Sequence, residues 1–126
     1  MSFDVYVELG DESIWCGNYT GNLGAFFAWA LHGTEHENPS ERCDSRDAIF
    51  GEAPRDGLQA LDGMPCSLAF AHVMAALERI EQAPPGSLAR FDAPNGWGTV
   101  EGATSFLRSC EGLFYEYPNY KVRVRW

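Results

Sequence analysis

The stretch 94–117, PNGWGTVEGATSFLRSCEGLFYEY, joins a glycine-rich turn to the best-patterned helix of the chain. Proline lacks an N–H donor and Asn-Gly accepts positive φ, so the turn is not expected to continue a regular element. Thr99 is predicted to cap the helix and Pro118 to stop it. Between them apolar residues recur at spacings of three and four, which indicates one helical face. The members of this stripe are Val100, Ala103, Phe106, Leu107, Cys110, Leu113, Phe114 and Tyr117.

Trp97 lies in the middle of the turn, and two interpretations apply to it. Large aromatic side chains are most often packed, so the favoured interpretation is a lid over the first turn of the helix. The alternative is an aromatic anchor for a ligand or a partner.

The two ends of the chain carry the pattern of half-buried strands. Residues 3–9 alternate apolar and polar, and residues 120–126 alternate apolar with Lys121, Arg123 and Arg125. Because the polar face of the first strand carries acids, we expect these two strands to be neighbours with opposite charges facing each other. A short second strand at 14–16 would form a hairpin with the first, and residues 17–22 are predicted to be a loop.

Two further helices are expected before the central stretch. One carries Leu23, Phe26 and Phe27 on its apolar face, with Trp29 off that face, and ends at Gly33. The other begins near Met64-Pro65. Its predicted core face consists of Phe70, Val73, Met74, Leu77 and Ile80.

Together these elements predict an α+β fold. The antiparallel or mixed sheet would contain two or three strands, an N-terminal hairpin plus the C-terminal strand, packed against about three helices. The chain of 126 residues is long enough for one domain, residues 1–126. A long acidic surface loop is predicted at about 33–54, where apolar residues are few.

The excess negative charge is confined to one half of the chain. The net charge is −9; residues 1–62 hold twelve acids and three arginines, whereas residues 63–126 hold six acids and six bases. Direct binding of nucleic acid is disfavoured, since it needs a basic footprint. An acidic surface suits solubility or a basic surface on a protein partner.

The sequence also predicts a cytoplasmic location without membrane insertion. It has no run of about 18 apolar residues and no pattern of a secretory signal peptide. Its cysteines, which lack CxxC spacing, are expected to be free thiols. They are Cys16, Cys43, Cys66 and Cys110.

Two motifs carry a resemblance. Residues 18–22, NYTGN, precede the first helix, and residues 94–98, PNGWG, are followed by Gly102-Ala103 and then by Pro118 before a Val-x-Val strand. This combination resembles a family of small, uncharacterised actinobacterial and actinophage proteins with an NYT-x-N motif and a PNGWG…GA motif. The resemblance implies no catalytic residue. It implies a phage or mobile-element origin, in which small acidic proteins are often inhibitors or immunity factors.

Several residues are of types that can bind metal or react, but each also has a simpler role. His32 and His36, with Cys43 downstream, are weak zinc candidates. Gly33 is expected to break the helix between the histidines, so exposed loop histidines are favoured and no cofactor is predicted. Cys66 begins a helix whose dipole would favour its thiolate, but His72 is not on the same face. The sequence lacks GxSxG, GxGxxG and P-loop motifs.

The preferred hypothesis is a non-enzymatic binding protein of the inhibitor, immunity or anti-defence type that occupies a basic surface of a protein partner. One alternative is a small metal-dependent or hydrolase-like enzyme, with Asn18, Asp92 and Asn95 converging near Trp97. Another is a nucleic-acid mimic built from the acidic segment. The oligomeric state stays open. The predicted binding residues are Asn18, Tyr19, Trp29, Glu35, Glu37, Glu41, Asp44, Asp47 and Trp97.

Overall fold

The computed structural model describes residues 2–35, 57–93 and 96–126. Within these ranges three antiparallel strands form a sheet of order β2-β1-β3, with three α-helices, so the predicted α+β fold is confirmed. Most of the predicted acidic loop at 33–54 lies outside the described residues. The strands are β1, Ser2–Leu9, β2, Glu12–Thr20, and β3, Lys121–Arg125. The helices are α1, Gly24–His32, α2, Cys66–Gln82, and α3, Val100–Glu116.

The terminal strands are neighbours, as predicted. Asp4 lies opposite Arg125 and Glu8 opposite Lys121 in the β1–β3 register. The ion pair that forms is diagonal, because Arg123 Nε lies 3.5 Å from Glu8 Oε2. The inward-facing valines of both strands are buried, which places the core on the opposite face of the sheet.

The second strand is longer than the sequence predicted. Residues 17–20, expected to be a loop, continue β2 as far as Thr20 opposite Ser2. The register shifts at Val5/Tyr6, where Gly17 and Trp15 are the opposing residues and Cys16 is left over as a bulge. Pairing with β1 outweighs the weak strand preference of the Gly-Asn pair.

Helix α1 is the centre of the core. Every residue from Gly24 to Leu31 except Trp29 is buried. The Phe27 ring meets Phe3 of the sheet at 6.0 Å between centroids, and α1 also packs against α2 and the 3₁₀ turn Leu58–Leu61. Gly33, at φ 74°, ends α1 as predicted.

The buried face of helix α2 overlaps the predicted one only in part: Val73 is buried, as predicted. Met74 is 45% exposed, and Phe70, Leu77 and Ile80 are only partly buried. Short side chains fill most of the fully buried positions of α2, which packs against both α1 and α3, and the larger side chains lie at the margin of the core. The face that α2 does bury consists of Cys66, Ala69, Val73 and Ala76.

Helix α3 follows its prediction at both ends. The Thr99 hydroxyl accepts a hydrogen bond from Gly102 N–H at 3.0 Å and caps the helix, and Tyr117 is its C-cap. Pro94 and Asn95 of the preceding turn lie outside the described residues. In the described ranges, no helix combines the length and the apolar character needed to cross a membrane.

Candidate partner-binding groove

The two sequence motifs pack against each other. Tyr19 Oη accepts a hydrogen bond from Thr99 N–H at 3.0 Å and donates one to the Thr99 carbonyl at 2.9 Å. The Asn22 side-chain amide donates to the Trp97 carbonyl at 3.1 Å. Tyr19 is half-buried, with its ring against Phe27 at 6.1 Å between centroids. The motifs therefore fasten β2 to the start of α3.

Glycines of the second motif make this contact possible. A Cβ at Gly98, where φ is +123°, would lie 2.5 Å from the side chains of both Thr20 and Leu23. A Cβ at Gly102 would collide with the Tyr19 hydroxyl. Packing alone thus accounts for both glycines.

Trp97 is not a packed lid. Its side chain is 74% exposed, so the favoured sequence interpretation is wrong. The start of α3 is instead covered by Tyr19, which bonds to Thr99. Trp97 stays a candidate contact for a partner.

The residues suggested for a hydrolase-like site have separate structural partners. Asn18 Nδ2 donates to Asp4 Oδ1 at 2.9 Å on the outer face of the sheet. Since neighbouring strand residues point to opposite faces, Asn18 points away from the side on which Tyr19 reaches α3. Asp92 Oδ1 accepts from Val100 N–H at 2.8 Å. Asn18 and Asp92 do not converge, and Asn95 lies outside the described residues.

Trp29 is partly exposed, as predicted, and lines a groove of about 560 Å³ with Arg79 and Arg90. Both arginines are already engaged. Arg79 Nη1 donates to the carbonyls of Trp29, at 3.3 Å, and Ala30. Arg90 Nη1 donates to the Ser87 carbonyl at 2.6 Å. This groove is built around contacts that hold the end of α1.

Of the predicted acidic contact residues, Glu35 is described. Its carboxylate lies 3.4 Å from Arg90 Nη2, and both side chains are largely exposed. A pair of this kind contributes little to stability. The remaining predicted acidic contacts lie outside the described residues: Glu37, Glu41, Asp44 and Asp47.

His32 is not an exposed loop residue, as the sequence favoured, but the half-buried last residue of α1. Its ring lies 5.4 Å from that of His72 on α2, and its Nε2 is 3.3 Å from the Gly57 carbonyl. Gly33 breaks α1 directly after His32. In the described ranges no three His, Cys, Asp or Glu side chains are grouped to hold a metal. His36 and Cys43 lie outside those ranges, so the absence of a cofactor stays a prediction.

The cysteines of the described residues are free thiols with raised pKa values. Burial raises the pKa of Cys66 to about 11. Burial and the neighbouring Cys66 raise the pKa of Cys16 to about 12, and burial raises that of Cys110 well above its usual range. Burial therefore disfavours the Cys66 thiolate that the sequence suggested at the start of α2.

A groove of about 900 Å³ runs along α2, with Glu111 of α3 also in its lining. Its floor is apolar: Phe70, Met74 and Leu77 follow one another along α2, with alanines beside them. Tyr115 of α3, 74% exposed, lies at the Phe70 end with a ring distance of 5.8 Å. We call this feature the α2–α3 groove.

Three carboxylates border the α2–α3 groove: Glu78, Glu81 and Glu111. Gln82 Nε2 donates to Glu78 Oε1 at 3.2 Å, and the described lining residues include no lysine or arginine. This site was not predicted from the sequence, because Phe70, Met74 and Leu77 were expected to be core residues and the excess acid lies in residues 1–62. The sequence signal for it is the presence of Glu78 and Glu81 next to those three apolar residues.

Neither a scan against protein-family models nor searches of curated proteins and of solved structures found a match to this chain. The resemblance carried by the two motifs stays a prediction.

Proposed function

We propose that this chain is a non-enzymatic binding protein, of the inhibitor or immunity-factor type, that occupies a basic surface of a protein partner. The observation that carries the proposal is the α2–α3 groove, an apolar floor bordered by Glu78, Glu81 and Glu111. Apolar contact supplies affinity, and carboxylates at the rim select a basic partner and speed its approach.

The charge of the whole chain supports the same function. With a net charge of −9, the protein attracts basic surfaces over a range of about one Debye length. Free thiols at Cys16, Cys66 and Cys110 suit a reducing compartment, and we propose the cytoplasm as its location. The acidic segment around Asp44 and Asp47 would add to long-range attraction.

Affinity capture from native host lysate with rising salt tests the proposal, provided that it compares three baits. The first is the wild-type chain, and the second is the Glu81→Gln/Glu111→Gln variant of the groove. The third, Asp11→Asn/Glu101→Gln, removes the same charge at exposed positions outside the groove lining. We expect the wild-type and control baits to retain one basic protein in stoichiometric amount. The groove variant should release the same protein at a lower salt concentration than the other two baits do.

Two results would contradict the proposal. One is recovery of the wild-type bait without a basic partner. The other is a basic partner that leaves the groove and control variants at the same salt concentration, which would mean that these two carboxylates make no specific contact.

A further inference from the structure

We infer that the occupant of the α2–α3 groove is a single basic amphipathic α-helix of the partner protein. This inference rests on the proposed function and specifies the kind of partner. Three features support it: the spacing of the apolar residues of the groove, the helical backbone on which the lining residues lie, and the carboxylates among them.

The floor has the spacing of a helix-packing surface. Phe70, Met74 and Leu77 stand at positions i, i+4 and i+7 of α2, so they form one ridge along its surface. Such a ridge accepts the complementary ridge of another helix. Exposure of 45% at Met74 leaves apolar area that a partner can cover.

The walls favour a helix over an extended segment. All of the described lining residues belong to two helices of 17 residues, whose interior backbone N–H and C=O groups bond within the helix. An extended peptide placed there would find no strand edge to satisfy its own backbone groups. A helix satisfies those groups internally and offers only side chains, which is the helix-in-groove mode of recognition.

The carboxylates select the charge of that helix. Glu81, four residues after Leu77, ends the apolar ridge of α2, and Glu78 and Glu111 also line the groove. The three carboxylates match lysines or arginines beside and beyond an apolar stripe. A second copy of this chain is disfavoured, because a symmetric contact would bring two such sets of carboxylates together. An anionic membrane surface is disfavoured for the same electrostatic reason.

The length of the groove sets the length of the occupant. Its α2 wall runs from Phe70 to Gln82, which corresponds to about 18 Å at about 1.5 Å per residue. A helix of about three turns, or about 12 residues, covers that distance.

Synthetic peptides of leucine and lysine, each about 14 residues long, provide the probe. The first has leucines at i, i+3, i+4 and i+7, the helical period. The second has the same composition with strict alternation, the strand period, and the third replaces every lysine of the first by glutamate. Fluorescence anisotropy of labelled peptides at physiological salt measures binding to the full chain.

We expect the helical-period lysine peptide to bind most tightly. Glu81→Lys should weaken it by about fivefold or more, while Asp11→Lys, an equal charge change in the β1–β2 turn, should weaken it by less than about twofold. Met74→Glu places a charge on the floor and should also weaken binding by about tenfold. Far-UV circular dichroism confirms that each variant is folded.

The outcomes separate the two proposals. Equal binding of the helical-period and strand-period peptides would overturn the helix and leave the basic-partner function standing. Equal losses for Glu81→Lys and Asp11→Lys, or no binding of any peptide, would overturn the groove as the site. Preference for the glutamate peptide would overturn the basic-partner function itself. A dimer that Met74→Glu dissociates would show that a second copy is the occupant and overturn the inference.

Discussion

The Tyr19 hydroxyl bonds to both backbone groups of Thr99, across 80 residues of sequence. Tyr19 is the second-last residue of β2, in the part of that strand that was predicted to be a loop, and Thr99 caps the helix with the clearest sequence pattern. One side chain thereby fixes the position of α3 relative to the sheet. Because Glu111 of α3 lines the α2–α3 groove, the Tyr19–Thr99 bonds also help to hold that side chain in place beside α2.

Tyr19→Phe should lower the free energy of unfolding by about 1 kcal/mol, since it removes one donor and one acceptor and keeps the ring. Urea denaturation followed by circular dichroism measures the loss. Tyr115→Phe is the matched control, because the Tyr115 hydroxyl has no hydrogen-bond partner in the described part of the chain and its side chain is 74% exposed. Equal effects of the two substitutions would contradict the role assigned to the Tyr19–Thr99 bonds.

Two glycines within α3 should respond in opposite ways to alanine. Gly112→Ala meets nothing within 4 Å and should stabilise the protein by about 0.5–1 kcal/mol, the ordinary gain in a helix interior. Gly102→Ala should destabilise it, because the new Cβ collides with the Tyr19 hydroxyl. Denaturant midpoints measure both effects. In a Tyr19→Phe background the cost of Gly102→Ala should shrink; an unchanged cost would mean that the hydroxyl is not the obstacle.

Arg79 should stabilise the folded protein through its contacts with the C-terminus of α1. Its guanidinium donates to the carbonyls of Trp29 and Ala30, which lie at the negative end of the helix dipole. Arg79→Leu should therefore cost about 1–2 kcal/mol in thermal or urea unfolding. Arg108→Leu, at an exposed position on α3, should cost less than about 0.5 kcal/mol. A smaller loss for Arg79→Leu than for Arg108→Leu would argue against this cap.

The raised thiol pKa values predict that cysteine reactivity and the free energy of unfolding depend on pH. With a pKa of about 11, only about one Cys66 side chain in a thousand is a thiolate at pH 8. A Cys43→Ser variant should thus react slowly with a disulfide reagent when native and rapidly when unfolded. The pKa values of Cys16 and Cys66 in the folded state exceed the value of about 8.5 in the unfolded state. These two thiols therefore contribute their full stabilisation of the fold below about pH 8.5. That stability is lost as the pH rises toward about 11 for Cys66 and about 12 for Cys16. Rapid labelling of the native variant at pH 8 would contradict the assignment.

The sequence predicted the elements whose own patterns were strong. Helix α3 has a cap, a continuous stripe and a stop, and the first and last strands alternate with opposite charges on one face. The end of β2 escaped prediction because Asn18 and Gly17 are weak strand formers that are held by pairing with β1. The identity of Tyr19 as a tyrosine does not indicate that its hydroxyl bonds to Thr99, 80 residues later in the sequence.

The buried face of α2 was predicted only in part, for another reason. Hydrophobicity favours Phe70 and Met74 as core residues, but close packing against a buried helix favours Ala69 and Ala76. Which side of an amphipathic helix is buried depends on the space its neighbours leave, and that space exists only in three dimensions. The α2–α3 groove therefore depends on the tertiary packing of the helices and could not be predicted from the sequence pattern of α2 alone.

The position of β1 between β2 and β3 has a consequence for the order of synthesis. The β1–β2 hairpin leaves the ribosome early, whereas the other neighbour of β1, Lys121–Arg125, is made only after α2 and α3. Until then one edge of β1 has no strand partner, and an open edge is a template for pairing with other chains. Translation that stops before Lys121 would leave this edge open permanently, so such products should aggregate rather than accumulate as soluble fragments.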